Sequence, residues 1–219
     1  MADMEIIPVP TRILTENDDI VDAIYNYAKD KVTENDLVCT AESVVAITQH
    51  QFVRPEDLTI SPLAQLCCRF IPDYGSLSSP HGMQSLMNRE GEYRVAFALF
   101  CGFLARLIGI RGLFYKWGGE QAALIDDVTG TMPPFDKCIV YGPKNPDAVA
   151  ESIKQKMGSF GAMIADVNDL KRSRVVGISQ GLNGELAAKL LIDNPFGNAS
   201  QKTPICIIKN YKKYQEEQG

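Results

Sequence analysis

The most apolar part of the chain, Val95–Tyr115, sets the strongest limit on how the protein can fold. Arg106 and Arg111 interrupt this segment, so no charge-free run reaches the length of about 20 residues that a membrane span needs. A segment this apolar is also unsuited to face water as one large patch. We therefore predict a helix that the protein itself buries, in part at a homodimer interface. A membrane-surface role is the less favoured alternative.

Short apolar runs and amphipathic stretches alternate along the rest of the chain. The pattern predicts an amphipathic helix that begins after Asn17-Asp18-Asp19. It predicts further helices over Pro62–Phe70, Pro146–Met157 and Glu185–Ile192, and strands over Leu37–Cys39, Cys138–Tyr141, Ala162–Ala165, Val175–Ile178 and Thr203–Ile208. The apolar run continues over Glu42–Ile47, with Glu42 and Ser43 at its head. Pro72–Gly82 is expected to be a loop, and the tail Lys209–Gly219 is expected to fray. The elements lack a strict βαβ rhythm, which favours a mixed α+β architecture over a doubly wound sheet.

An acidic stretch, Gly118–Pro134, is the most suggestive site feature. The apolar run Ala122–Ile125 is typical of a buried strand, and Asp126 and Asp127 follow it at the start of a Gly/Pro-rich loop. Carboxylates at a strand end can bind Mg²⁺ or Mn²⁺ together with phosphate oxygens. A second strand also ends on carboxylates, Asp166 and Asp169, and the two clusters converge if the strands are neighbours. The alternative interpretation is a solvated acidic turn.

Charge and cysteine content exclude several classes of protein. The net charge of −5 argues against nucleic-acid binding, because it does not offset phosphate repulsion. The six cysteines form no CxxC motif and no Cys/His cluster, so they indicate buried thiols in a reducing compartment. The N-terminal residues lack the basic and apolar regions of a signal peptide, and we expect a cytoplasmic protein.

The common nucleotide and nucleophile motifs are missing from the sequence. No GxxxxGK[ST] loop occurs, no GxGxxG follows a strand, and neither His50 nor His81 lies in a recognisable nucleophile motif. His81 is a possible ligand contact within its predicted loop, although a packing or surface histidine is the commoner case. Lys116 and Trp117 can form an anion or base-stacking surface, or simply anchor the end of a strand.

Several blocks together resemble the coenzyme F-420:L-glutamate ligase family, also called gamma-glutamyl ligases. The blocks are PVPTRILTENDDI, DLVCTAESVVAITQ, ALIDDVTGT, GPKNPDAVAESI, GAMIADVNDL and GELAAKLLIDNPFGNASQKTPICIIK, in the same order as in the family. The resemblance runs from Pro8 to Lys209. It implies one domain over 1–219, with a largely antiparallel mixed sheet, flanking helices, and an apolar helical insertion at 85–117.

The resemblance also implies an activity. Members of the family join the amine of L-glutamate to a carboxylate of an acceptor, consume GTP, and use Mg²⁺ or Mn²⁺. The implied route activates the acceptor as an acyl phosphate, which the glutamate amine then attacks. An amide is uphill from its acid and amine in water, so a phosphoryl group must first create a good leaving group. Metal ions and positioning then supply most of the catalysis.

Matched by position, the resemblance assigns metal-binding roles to Asp126, Asp166 and Glu185. It assigns the nucleotide pocket to Pro10, Thr11, Arg12 and Ile13. Further acidic and polar candidates are Glu42, Ser43, His81, Glu120, Asp127 and Asp169. We expect the carboxylates of Asp126 and Asp166 to come within reach of one metal ion.

One block departs from the family pattern. The family usually has VSKAEG where this chain has VAITQH, so Ile47 and Gln49 stand in place of a lysine and a glutamate. A cation for phosphate and a carboxylate are both lost. The departure favours a second hypothesis, a catalytically silent protein on the same scaffold that binds a nucleotide or metabolite.

Overall fold

A computed structural model describes residues 4–72, 75–125, 133–168, 171–197 and 201–218. The chain divides into two compact units. The first unit comprises Met1–His50 and Pro143–Gly219, and the second comprises Gln51–Gly142. The predicted insertion at 85–117 lies within the second unit. The predicted organisation as one domain stays a prediction.

The secondary structure follows the predicted mixture of strands and helices. The described strands are β1 (Ile6–Val9), β2 (Leu37–Ala41), β3 (Phe52–Val53), β4 (Ile139–Val140), β5 (Gly161–Asn168), β6 (Arg172–Ile178) and β7 (Ile205–Ile208). The described α-helices are α1 (Ile20–Ala28), α2 (Glu42–Thr48), α3 (Pro62–Cys67), α4 (Pro80–Glu90), α5 (Glu92–Leu107), α6 (Leu113–Trp117), α7 (Pro146–Met157), α8 (Gly184–Leu190) and α9 (Tyr211–Gln218).

The first unit contains a five-stranded sheet in the order β1-β7-β2-β5-β6. Only the pair β2–β5 is parallel among these neighbours, and the other three pairs are antiparallel. In the parallel pair, Leu37 lies opposite Gly161 and Ala41 lies opposite Ala165. The predicted α+β class, with a largely antiparallel sheet and flanking helices, is confirmed.

Alternating side chains of this sheet enter two separate hydrophobic clusters, because successive residues of a strand point to opposite faces. On one face, Val38, Ile164 and Ile207 pack with residues of α1 and α7. On the other face, Cys39 and Met163 pack in a cluster that includes fully buried Tyr211 of α9. The sheet is therefore covered on both sides, and its sites for ligands must lie at the strand ends.

The second unit is mainly helical. Helices α3 to α6 surround a cluster that contains Met83, Leu86, Val95 and Phe114. The small antiparallel sheet β3–β4 pairs Phe52 with Val140 and belongs to the same unit. No helix among the described residues is long and apolar enough to cross a bilayer.

Two local predictions are wrong. The run Ala122–Ile125 is not a strand, because Glu120–Ala123 forms a 3-10 helix. The apolar run over Glu42–Ile47, for which the sequence predicts no element type, forms α2. The polar tail does not fray: it forms α9, which is anchored by the buried ring of Tyr211.

One further prediction needs correction in the second unit. The expected loop Pro72–Gly82 ends in a helix, because the Ser79 side chain accepts from the Gly82 amide and Pro80 occupies the first turn of α4. The apolar segment Val95–Tyr115 is half buried within a single chain, and its burial at a homodimer interface stays a prediction. Val95, Ala98, Leu99, Ala105 and Phe114 are buried, whereas most of its other large apolar side chains are exposed.

Candidate functional site

One edge of the five-stranded sheet collects the C-terminal ends of three strands. Strands β2 and β5 are parallel, so they end at the same edge. Strand β7 is antiparallel to both β1 and β2, so β1 ends there too. The segment that leads into β7 lies at this edge, where the Pro204 carbonyl accepts from the Ala41 amide at 2.9 Å. We call this edge the carboxyl edge.

The carboxyl edge brings two predicted acidic residues into corresponding positions. Glu42 directly follows β2 and begins α2, with Ser43 beside it. Asp166 follows Ala165, the residue opposite Ala41 in the neighbouring strand. Glu42 and Asp166 are therefore each one residue beyond a paired position of the parallel strands. Two carboxylates from adjacent strands supply hard oxygen donors at a common edge.

The electrostatic surroundings of Asp166 are those of a partly desolvated anion. Burial raises the pKa of the Asp166 carboxyl group, and the charge of Arg174 opposes that rise. Arg174 lies opposite Asp166 in the antiparallel pair β5–β6. A carboxylate that has lost part of its hydration gains from a nearby cation, which can be a guanidinium or a metal ion.

The predicted nucleotide loop, residues 10–13, leaves β1 at the same edge. The Thr11 amide donates to the carbonyl of Lys202 at 2.8 Å, and the Thr11 hydroxyl donates to the carbonyl of Arg12 at 2.6 Å. The exposed Arg12 guanidinium forms an ion pair with Asp18, just before α1. The hydrogen bond from Arg12 is the main cause that lowers the pKa of Asp18. The loop is thus held by the backbone hydrogen bond of Thr11 and by the ion pair of Arg12.

A cleft of about 490 Å³ opens within the same unit between α1, α2 and α7. Gln49, at the end of α2, stabilises one wall of the cleft. Its side-chain oxygen accepts from the backbone amide of Lys144 at 2.6 Å, and its side-chain nitrogen donates to the backbone carbonyl of Lys144 at 3.1 Å. Asp18 and Asn145 also line the cleft. Gln49 therefore has a structural partner at the position where the family has a glutamate.

The remaining predicted site residues are dispersed or lie outside the described residues. Glu185 is exposed in the first turn of α8, and the residue before it, Gly184, lies beside Val175 and Ile178 of β6. His81 and Glu120 lie in the second unit, in the first turns of α4 and of the 3-10 helix. Asp126, Asp127 and Asp169 lie outside the described residues.

The proposed metal ligands cannot be assembled from the described part of the chain. Within that part, no three His, Cys, Asp or Glu residues form a group that could hold a metal ion. The expected convergence of Asp126 and Asp166 stays a prediction, as does the role of Glu185.

Arg174 and Lys202 are basic residues at the carboxyl edge that the sequence analysis did not single out. Arg174 belongs to the run Arg172-Ser173-Arg174, in which two exposed arginines flank the more buried Ser173. Charged side chains are typical of the outermost strand of a sheet, and β6 is the last strand in the order of this sheet. The sequence does not reveal that β6 lies beside β5, so the pairing with Asp166 could not be predicted.

Comparison with known proteins supports the family resemblance over the first part of the chain. A sequence model described as F420-0:Gamma-glutamyl ligase matches residues 8–92, less than half of the chain. The matched range includes the loop 10–13, β2 and Glu42. The chain thus resembles the gamma-glutamyl ligase family, as predicted, over these residues. A search of curated proteins finds no match.

Proposed function

We propose that the protein is an acid–amino-acid ligase of the gamma-glutamyl type. In this proposal it forms an amide between an acceptor carboxylate and the amine of L-glutamate, with GTP as co-substrate and Mg²⁺ or Mn²⁺ as cofactor. The observation that carries the proposal is that the family match over residues 8–92 contains two components of the carboxyl edge, the loop 10–13 and Glu42. Asp166 adds a carboxylate at that edge from outside the matched range.

The carboxyl edge has groups that suit this chemistry. Asp166 and Glu42 would hold the divalent ion, and the partly desolvated state of Asp166 supports that role. When bound, such an ion neutralises phosphate charge during phosphoryl transfer. Backbone and hydroxyl groups of the loop 10–13 would orient the nucleotide, and Arg174 supplies positive charge beside the carboxylates. Positioning of the acceptor next to the phosphoryl group then permits the acyl phosphate to form.

A second candidate function, a silent nucleotide- or metabolite-binding protein, draws on α2. Ile47 replaces the family lysine and is buried at 3% exposure, so this position offers no cation. Gln49 replaces the family glutamate, and its amide is engaged by the backbone of Lys144. Both replacements have structural roles in the first unit, which is what a scaffold that had lost catalysis would retain.

A thermal-shift panel tests the binding part of both candidates. GTP, GDP and ATP are added with and without Mn²⁺, and a ligand that binds only the folded state stabilises it by about 2.7 kcal/mol at 100 times its Kd. We expect GTP with Mn²⁺ to give the largest shift. Asp166→Asn should remove the Mn²⁺-dependent part of the shift, whereas the matched control Asp30→Asn, an exposed carboxylate, should keep it.

Turnover separates the two candidates. The ligase proposal predicts release of phosphate from GTP that depends on both an acceptor acid and L-glutamate. Binding of GTP without such release, across a panel of acceptor acids, supports the silent scaffold. No shift with any nucleotide contradicts the ligase proposal and leaves the silent scaffold only as a metabolite-binding protein. A cytoplasmic location completes the proposal.

A further inference from the structure

Helix α5 presents a second apolar face that the second unit does not cover. Tyr93, Phe97, Phe100, Leu104 and Leu107 are 87%, 62%, 60%, 45% and 69% exposed. We call these five residues the outer face of α5. The opposite side of the helix is buried in the core of its unit. Contiguous apolar surface of this kind marks an interaction site.

The spacing of the outer face is that of a helix pair. Its residues are separated by four, three, four and three positions, an average of 3.5. This is the period of the contact between two packed helices, and Phe103 and Ile108, which are 50% and 76% exposed, widen the apolar stripe beside it. The spacing is compatible with a helix as the partner.

The outer face is nearly symmetric about its central residue. Tyr93 and Leu107 each lie seven residues from Phe100, and Phe97 and Leu104 lie three and four residues away. An antiparallel pair of identical helices related by a twofold axis at Phe100 brings Phe97 near Leu104 of the second copy, and Tyr93 near Leu107 of the second copy. A twofold interface needs such a self-complementary surface.

The area of this face also fits a second copy. Phe103 and Phe70, whose rings lie 6.4 Å apart, extend the outer face. With about 200 Å² for each large side chain, the exposed fractions sum to on the order of 800 Å² per copy, which is what a standard interface buries on each partner. At the start of α5, Arg94 forms an ion pair with Glu90 at 2.9 Å, and Arg106 and Arg111 are exposed at its other end.

We propose that the protein forms a homodimer in which the outer faces of two α5 helices pair in antiparallel orientation around Phe100. The near-twofold symmetry of the outer face and its area argue for a second copy of the chain as the occupant. The inference is independent of the proposed ligase activity.

Sedimentation velocity over a range of protein concentrations tests the dimer. We expect the wild-type protein to have twice the 24.2 kDa chain mass. Phe97→Glu and Leu104→Glu should yield monomers with an unchanged circular-dichroism spectrum, because both side chains are exposed in a single copy. Ile192→Glu is a matched change at an exposed apolar residue that follows α8, and this variant should remain dimeric. A monomeric wild type, or dimers of both outer-face variants, would overturn the proposal.

Disulfide trapping tests the orientation in a Cys101→Ser background, which removes the partly exposed native thiol. Oxidation of a mixture of Tyr93→Cys and Leu107→Cys proteins should give a covalent heterodimer, and Tyr93→Cys alone should give little product. Efficient self-linking of Tyr93→Cys would contradict the antiparallel arrangement. Sedimentation of a monomeric wild type with vesicles of phosphatidylserine and phosphatidylcholine would assign the face to a lipid surface instead.

Discussion

The fully buried carboxylate of Asp36 links the turn before β2 to the end of β7. One oxygen accepts from the Thr33 amide at 2.7 Å and pairs with Lys209, and the other accepts from the Asn210 amide at 2.9 Å. Burial by itself would raise the pKa of Asp36, but these hydrogen bonds, with that of Lys209 foremost, outweigh it and lower the pKa. The ionised form is therefore stabilised in the folded state.

Asp36→Asn should destabilise the protein by about 3 kcal/mol at pH 7, since it leaves the Lys209 ammonium without its buried partner. A lowered folded-state pKa means that the stabilisation is present above the unfolded pKa and is lost as pH falls through the folded pKa. The difference in unfolding free energy between the wild type and Asp36→Asn should thus become smaller at acidic pH. Urea denaturation at pH 7 and pH 3 measures it, with Asp30→Asn as the control. Equal stability at pH 7 would contradict the structural role of Asp36.

Asp166→Asn should have the opposite effect on the ligand-free protein. The folded-state pKa of Asp166 is raised, so the charged form is penalised at neutral pH. The variant should match or exceed the wild type in stability at pH 7, by less than about 1 kcal/mol, the range of partly exposed charges. This advantage should shrink as pH falls and the wild-type carboxyl group takes up its proton. Melting curves from pH 4 to 8 test the trend, and a large loss of stability at pH 7 would show that the pair with Arg174 outweighs desolvation.

At the scale of elements, the packing of α5 on α6 depends on Gly102. A Cβ at this position would lie 2.9 Å from Cβ of Phe114 and 3.1 Å from its amide nitrogen. Overpacking of this kind costs about 1–3 kcal/mol, which exceeds the gain of up to about 1 kcal/mol from alanine's helix propensity. Gly102→Ala should therefore lower the melting temperature. Cys101→Ala, one residue earlier in the same helix, should change it little. A more stable Gly102→Ala would mean that the two helices separate easily.

Helix and strand predictions succeeded where capping residues and length agreed. Helix α7 has its predicted bounds, since Pro146 fixes its first turn and Gly158 ends it with a positive φ of 63°. The run over Glu42–Ile47 was ambiguous, because a short apolar run suits a buried strand and a buried helix equally. The start of α4 was missed although Ser79-Pro80 is a helix-start signal, because the surrounding Ser, Pro and Gly residues indicated a loop.

At the scale of the whole molecule, the neighbours in the sheet decide which site residues meet. The sequence predicted β2, β5 and β7, but it could not show that β7 lies between β1 and β2 or that β2 pairs in parallel with β5. Those pairings bring the loop 10–13, Glu42 and Asp166 to one edge. They join residues more than 100 positions apart, and local patterns carry no information on such contacts.

The nucleotide preference is the last prediction, and it concerns the first unit as a whole. The family resemblance points to GTP, and the loop 10–13 is the segment expected to contact the base. Guanine presents an acceptor at O6 and donors at N1 and N2, a pattern that adenine does not share. Backbone amides and carbonyls of a fixed loop can read this pattern, and Thr11 and Arg12 are held by contacts to Lys202 and Asp18.

A buried site matched to guanine leaves polar groups unpaired when adenine binds, at a cost of about 1–3 kcal/mol for each group. GTP should therefore bind at least about tenfold more tightly than ATP, because about 1.4 kcal/mol corresponds to a factor of ten. Titration calorimetry with each nucleotide and Mn²⁺ measures the ratio. Thr11→Ala should leave the ratio unchanged if backbone groups read the base, since it removes only a hydroxyl that donates to a neighbouring carbonyl. Equal affinities for GTP and ATP would remove the guanine-specific interpretation while leaving a phosphate-directed site at the carboxyl edge.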